Sequence, residues 1–311
     1  MTPGNPAKIS KVVISTALGH DGRGIFPYTL WPGYRKLIRA ARETGTTIFS
    51  KSSTRFKRIG NFIPWNPLTW RYIRRLPEGG MLNAYGLTNA GVEACARDLR
   101  TSGEQGLQVI PNFYPEFAKG TEIAIRETLE AIDILAKSLG PLFWALELNF
   151  SCPNSQEAIA QNVAQGLACV RKIKESRPTL FLIAKISRVH PYEFAQELER
   201  AGVNAIHGVN TIPYELIYPP DRYPRSPLWQ VNGGGVSGGP AFAEAYAYNA
   251  VLRQKVNLFV IMGCGVRSKE DVQRYLDLGA DALSFCTLAL RDPGAAEKII
   301  LAYNRVTPSS Y

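Results

Sequence analysis

Short apolar runs rich in Val, Ile and Phe alternate eight times with longer stretches of helical period, and this alternation constrains the fold more than any other feature of the chain. The runs are KVVISTAL (11–18), TTIFSK (46–51), LQVIPNF (107–113), WALELNF (144–150), LFLIAKI (180–186), NAIHGVN (204–210), LFVIMGC (258–264) and ALSFCT (282–287). Amphipathic stretches lie between and after them, near 33–44, 89–101, 120–139, 164–175, 191–202, 241–253, 268–278 and 293–304. Eight strands, each followed by a helix, within 311 residues predict an α/β fold of the (β/α)8 TIM-barrel type, one domain spanning 1–311. A doubly wound open sheet is the rival arrangement. Two segments are too long for plain connectors, 52–88 after the second strand and 211–239 after the sixth. Segments of that length are usually lids or binding loops, and both follow strand C-terminal ends, where barrels of this type build their active sites.

Composition narrows the partners. With 45% hydrophobic and 20% charged residues the chain has enough apolar material for a large core, and it contains no run of about eighteen apolar residues that would span a membrane. The N-terminal MTPGNPAKISKVVIS lacks the charged head and apolar stretch of a signal peptide, so a soluble cytoplasmic protein without a membrane partner is expected. The five cysteines (Cys95, Cys152, Cys169, Cys264, Cys286) form no C-x-x-C pair, which predicts free thiols and no bound metal. The formal charge of +10 would suit nucleic acid or small acids alike, but the basic residues are spread along the chain, so nucleic acid is not expected as a partner.

In the barrel reading, the strand ends deliver Lys51, Asn112, Asn149 with Cys152 and Asn154 beyond it, Lys185, Asn210 with Thr211, Gly263 to Gly265, and Cys286 with Thr287. Any one Asn is readily a turn former. Several converging on one pocket suit a flat ligand with alternating N–H and C=O groups, such as a pyrimidine ring, because an amide both donates and accepts. Asn83 in NAYGLTN adds to the set, and Gly86 beside it makes a turn able to aim N–H groups at an anion. Lys185 lies inside the apolar FLIAKIS, where it is either a lysine snorkelling at a strand end or a fixed positive charge beside a cofactor that becomes anionic; Lys51 in IFSKSST suits a carboxylate or ring carbonyl. The glycine-rich NGGGVSGGP (232–240) and MGCGV (262–266), together with SFCTL (284–288), resemble a phosphate cradle at the last two barrel units. No G-x-G-x-x-G follows the first strand and no P-loop is present, which argues against a Rossmann dinucleotide site.

KSST and RIGN after the second strand, NAYGLTN, NFSCPN, AKIS, VNTI, GGGVSGG, GCGV and FCTLAL resemble the dihydroorotate dehydrogenases, FMN-containing barrels of pyrimidine synthesis, over roughly Val12 to Ala289. The resemblance implies oxidation of (S)-dihydroorotate to orotate. It further implies that Asn83, Asn149, Asn154, Asn210 and Thr211 hold the pyrimidine ring, and that Lys51 with Tyr85, Gly86 and Leu87 surrounds its carboxylate. Lys185 would stand at the flavin N1 and O2 edge as a catalytic charge. Ala17, Gly19, Lys51, Ser52, Asn112, Asn149, Lys185, Asn210, Gly238, Cys264, Gly265, Cys286 and Thr287 would meet FMN. Cys152 matches the catalytic base of the soluble class, where the membrane-associated class resembles this motif with serine. A thiol takes the C5 proton only as thiolate, and its ordinary pKa of about 8.5 predicts a rate that rises toward alkaline pH. Relatives of this kind imply a homodimer or a complex with an electron-transfer subunit, with fumarate or such a subunit taking the electrons.

The chain departs from that pattern at Cys264 and Cys286, which replace family glycines, in SQEAIAQN after Asn154, and in TALGHDGRG after the first strand. A dihydropyrimidine dehydrogenase-like enzyme is the nearest alternative; that family resembles this motif with His where Asn154 stands and carries iron-sulfur domains. A flavin-binding protein without catalysis is the alternative of another class, prompted by the basic and aromatic STRFKRIGN and WRYIRR.

Overall fold

A computed structural model describes residues 5–19, 31–150 and 162–304; Cys152 and Asn154 lie outside the described residues. Each of the eight expected strands is present: β1 (Val12–Ser15), β2 (Thr47–Phe49), a third run divided into β5 (Gln108–Ile110) and β6 (Asn112–Phe113), then β7 (Ala145–Asn149), β8 (Phe181–Ile186), β9 (Ala205–Gly208), β12 (Phe259–Gly263) and β13 (Ala282–Phe285). They form one parallel sheet in the order β5-β2-β1-β13-β12-β9-β8-β7-β6. The third run was expected to be continuous over 107–113. Pro111 interrupts it, since proline has no N–H to give to a ladder. Its two halves pair on opposite sides, β5 with β2 and β6 with β7, and the Pro111 carbonyl accepts from the Glu147 N–H at 2.9 Å. The two edges of the sheet are therefore one stretch of chain, and the sheet closes into a (β/α)8 barrel.

The outer layer follows the expected helical stretches: α1 (Pro32–Glu43), α2 (Val92–Glu104), α3 (Thr121–Leu139), α4 (Asn162–Ser176), α5 (Tyr192–Arg200), α7 (Phe242–Lys255), α8 (Lys269–Asp277) and α10 (Pro293–Tyr303). The burial pattern explains the strand composition. One face of each strand joins the large core beneath the helices, while Val13, Phe49, Ile110, Ala145, Phe181, Ile183, Ala205, Ile261 and Ala282 fill the lower barrel interior. Strands buried on both faces read as near-continuous apolar runs. Asn304 fastens the end of α10 to the start of the barrel: its amide accepts from the Val12 N–H at 2.8 Å and donates to the Val12 carbonyl at 2.7 Å and to Thr46 Oγ1 at 2.8 Å.

The two long segments contain regular structure that periodicity does not reveal. Segment 52–88 supplies β3 (Ile73–Arg75) and β4 (Met81–Asn83); segment 211–239 supplies β10 (Ile212–Pro213), the short α6 (Tyr214–Ile217) and β11 (Gly235–Ser237). These strands, two or three residues each, join in one antiparallel sheet in the order β10-β11-β4-β3. A short α9 (Thr287–Arg291) precedes α10. Among the described residues, no helix is long and apolar enough to cross a membrane.

Candidate active site

A cavity opens at the C-terminal ends of the barrel strands, bordered by the small antiparallel sheet. The chain builds it by strand register. Asn149 on β7 lies opposite Lys185 on β8, and Lys185 lies opposite His207 on β9, so three polar side chains stand side by side at one level. Lys51 and Ser52 enter just after β2, Asn210 and Thr211 just after β9, and Cys264, Gly265, Cys286 and Thr287 just after β12 and β13. From the antiparallel sheet and the turn after it come Asn83, Tyr85, Gly86 and Leu87. These fifteen residues, all but His207 predicted, line one cavity.

The polar groups are held in place. Lys185 is 6% exposed and its ammonium donates to Ser15 Oγ at 3.2 Å. Lys51 Nζ sits 3.5 Å from the centre of the Tyr85 ring, a cation–π contact that fixes a positive charge against the ring face. Asn149 donates to Ser52 Oγ at 3.0 Å and Asn83 to the Gly235 carbonyl at 3.3 Å, while Asn210 Oδ1 accepts from the Thr211 N–H at 2.9 Å. Burial pushes the Tyr85 hydroxyl well above its ordinary range, so it stays protonated.

At the far end, glycines bring backbones together. Gly265 has φ +92°, and a Cβ there would lie 2.4 Å from Phe242 Cα at the N-terminus of α7. A Cβ on Gly238 would lie 2.5 Å from the Gly79 carbonyl oxygen and 3.0 Å from Thr287 Cγ2. Thr287 Oγ1 in turn donates to Ser237 Oγ at 2.8 Å. A glycine turn packed against a helix N-terminus, with a hydroxyl beside it, suits a phosphate group. Cys264 occupies the same turn with φ +73°, a conformation that glycine adopts without strain and cysteine does not. Both thiols lining the cavity are pushed up by burial, Cys264 to about 12 and Cys286 in the same direction despite a contact with Thr16 Oγ1 at 3.3 Å.

Not every predicted position reaches the cavity. Ala17 is fully buried, Gly19 forms a turn with φ +67°, and Gly238 lies behind the lining. Asn112 is also set back: its amide donates to Glu147 rather than facing the opening. Conversely, sequence reasoning missed Ser15, Thr16, His207 and Ser284, which line the cavity, and Glu147 behind them. The signal was present as spacing. Glu147 stands two residues before Asn149 and Ser284 two before Cys286, which puts each on the same strand face as a predicted site residue.

A family model described as "Dihydroorotate dehydrogenase" matches residues 36–306. The chain is 30% identical to the catalytic subunit of dihydroorotate dehydrogenase B (NAD(+)) from Oceanobacillus iheyensis over 267 residues, covering 81% of this chain and 78% of that protein. It is 28% identical to the protein of the same name from Bacillus cereus over 261 residues, 82% of this chain and 77% of the relative. With the one from Thermotoga maritima the identity is 28% over 227 residues, 70% and 76% of the two chains.

Proposed function

The chain belongs to the dihydroorotate dehydrogenase family, and from that premise we propose that it oxidises (S)-dihydroorotate to orotate with FMN as its resident cofactor and Cys152 as base. It is an oxidoreductase of pyrimidine biosynthesis. One observation carries the finer reading: Lys51, Asn83, Asn149, Lys185 and Asn210 come from separate parts of the chain and meet on a single cavity. That set offers two positive charges and three amides. It matches a ligand with one carboxylate and a ring of alternating N–H and C=O groups.

What supports FMN is the far end of the cavity: Gly265 lines it with φ +92° and packs so closely on Phe242, the first residue of α7, that a Cβ there would lie 2.4 Å from Phe242 Cα, so a side-chain-free turn and a helix N-terminus stand together where a phosphate would sit. When bound there, FMN supplies the acceptor for the hydride from C6 of the substrate. The chain's own residues do the rest. Asn83, Asn149, Asn210 and Thr211, with Asn154, orient the pyrimidine ring; Lys51 and the backbone of Tyr85, Gly86 and Leu87 hold its carboxylate; Lys185 keeps a positive charge beside the cofactor. Cys152, three residues after Asn149, removes the C5 proton. Cys264 and Cys286 line the cavity, but burial keeps both thiols protonated at neutral pH, which makes them poor bases. The similar proteins are named as catalytic subunits of an NAD(+)-linked type. By that likeness, a partner subunit passes the electrons on to NAD(+).

The test is an anaerobic absorbance titration of the purified protein with L-dihydroorotate and, separately, with dihydrouracil. Bleaching of the oxidised-flavin band by dihydroorotate alone is the expected result. A flavin that neither compound reduces would overturn the substrate assignment.

A further inference from the structure

A chain of buried polar side chains crosses the barrel directly under the cavity, and none of the roles proposed above uses it. The Asn112 amide donates to Glu147; Glu147 Oε1 bonds Nδ1 of His207; His207 Nε2 lies 2.6 Å from Ser284 Oγ. Glu147 is fully buried, His207 is 1% exposed and Ser284 3%. The layer below is filled by Val13, Phe49, Ile183, Ile261 and other apolar side chains, so packing at this level does not call for an ionisable pair. A buried carboxylate and imidazole are costly unless fully hydrogen-bonded, and replacing such groups with apolar ones is often neutral for stability. Their place therefore points to the surface they support. His207 and Ser284 both line the cavity floor.

The geometry leaves little freedom in how the chain is wired. Burial opposes ionisation of Glu147, but the positive charge of Lys185 and the hydrogen bonds from His207 and Asn112 hold its pKa below the ordinary value, so it is a carboxylate and can only accept. Nδ1 of His207 must then carry a proton. With its Nδ1 proton held by the carboxylate, a neutral imidazole presents a bare Nε2 to Ser284 Oγ 2.6 Å away, and burial, which lowers the pKa of His207 even with Glu147 beside it, favours that neutral form. Ser284, facing that nitrogen, gives it the hydroxyl proton. The imidazole is also braced by the Phe49 ring, centre to centre 5.2 Å. Gly263 keeps the space open, since a Cβ there would lie 2.1 Å from Ser284 Oγ.

We infer that Glu147, His207 and Ser284 are positioning residues that turn the lone pairs of Ser284 Oγ into the cavity, as an acceptor for the imide N–H of a flat ring bound above. Glu147 fixes the imidazole, the imidazole takes the serine proton, and the serine is left able only to accept from the ligand. A hydroxyl free to rotate would serve donor and acceptor alike. This one selects rings that present N–H at that point and disfavours rings that present a lone pair. Flavin and dihydropyrimidine rings both carry an imide N–H. The identity of the ring rests on the function proposed above; the wiring of the chain does not.

Two measurements test it. Nitrogen-15 spectra of the His207 ring in the full-length chain at neutral pH should show Nδ1 protonated and Nε2 bare. Ser284→Ala should move the Nε2 resonance and leave that of Nδ1 in place, which a serine with a purely packing role would not do. A His207 protonated on Nε2 overturns the inference. In the second measurement, Ser284→Ala should weaken either FMN or orotate by about tenfold, the scale of one hydrogen bond to a buried acceptor. Weakening of FMN assigns the contact to the cofactor, and weakening of orotate alone assigns it to the substrate. Unchanged affinity for both overturns the inference. If the unaltered protein binds neither ligand, the proposed function fails, and the protonation of His207 still decides the positioning chain.

Discussion

Cys152→Ala is the sharpest test at the scale of single residues. If this thiol is the base, the variant keeps its flavin and its pyrimidine affinity, because no ring-binding amide has changed, but stopped-flow reduction by dihydroorotate slows by at least about a hundredfold, the low end of what a lost general base costs. Near-normal reduction would remove Cys152 from the mechanism. Cys264 bears on a different property. Its φ of +73° is unfavourable for any residue with a Cβ, by roughly 1 kcal/mol, and glycine offsets part of that relief through its greater freedom when unfolded. Cys264→Gly should therefore leave the denaturation midpoint unchanged or raise it slightly; a clear fall would mean that the thiol packs better than the turn suffers. Lys185 and the asparagines were legible because charged and amide groups at the ends of apolar runs are conspicuous. Glu147, His207 and Ser284 were not, since each sits inside a run that reads as plain strand and becomes meaningful only when β7, β9 and β13 stand around one axis.

Elements were legible where periodicity is long. Each barrel strand and each following helix lies within a few residues of its expected range, because a strand buried on both faces reads as a mostly apolar run of six to eight residues and an amphipathic helix repeats its apolar face over nine or more. The sheet over the mouth was not legible. Its strands are two or three residues long, and β4 and β11 pair residues as distant as Asn83 and Gly235, so the pairing leaves no local pattern. That sheet carries Asn83 and borders Thr211, and although its Leu82, Ile212 and Val236 join the large core, most of that core lies between the barrel and its helices, so damage to the sheet should show more in binding than in stability. Val236 lies in the middle of β11, between Ile212 of β10 and Leu82 of β4. Val236→Pro removes a ladder donor from a central strand. Orotate affinity should fall by about tenfold or more while the melting temperature shifts by only a few degrees. A melting temperature that collapses together with binding would show that the sheet is integral to barrel stability.

At the scale of the whole molecule, sensitivity to mild acid should trace to very few groups. The chain has three histidines, and the two within the described residues are both buried. His190 is 2% exposed; its Nδ1 accepts from the Ser187 N–H at 3.0 Å, and its Nε2 has no hydrogen-bond partner among the described residues. Protonation would place a buried charge there and turn the Nδ1 acceptor into a donor facing another donor. Burial accordingly lowers its pKa from 6.5 to about 4. Between those values the unfolded chain binds a proton that the folded chain refuses, so stability falls as pH drops. The slope approaches about 1.4 kcal/mol per pH unit and the full loss is roughly 3 kcal/mol by pH ~4. His207 shifts in the same direction and adds to the loss. His190→Asn isolates the first contribution, since the Asn side-chain oxygen can replace Nδ1 as acceptor for Ser187 and does not titrate. Denaturant midpoints measured at pH 7, 5.5 and 4.5 should fall less steeply in this variant than in the unaltered protein, by close to one proton's worth of slope. Parallel curves would show that His190 titrates normally and that the acid sensitivity lies elsewhere.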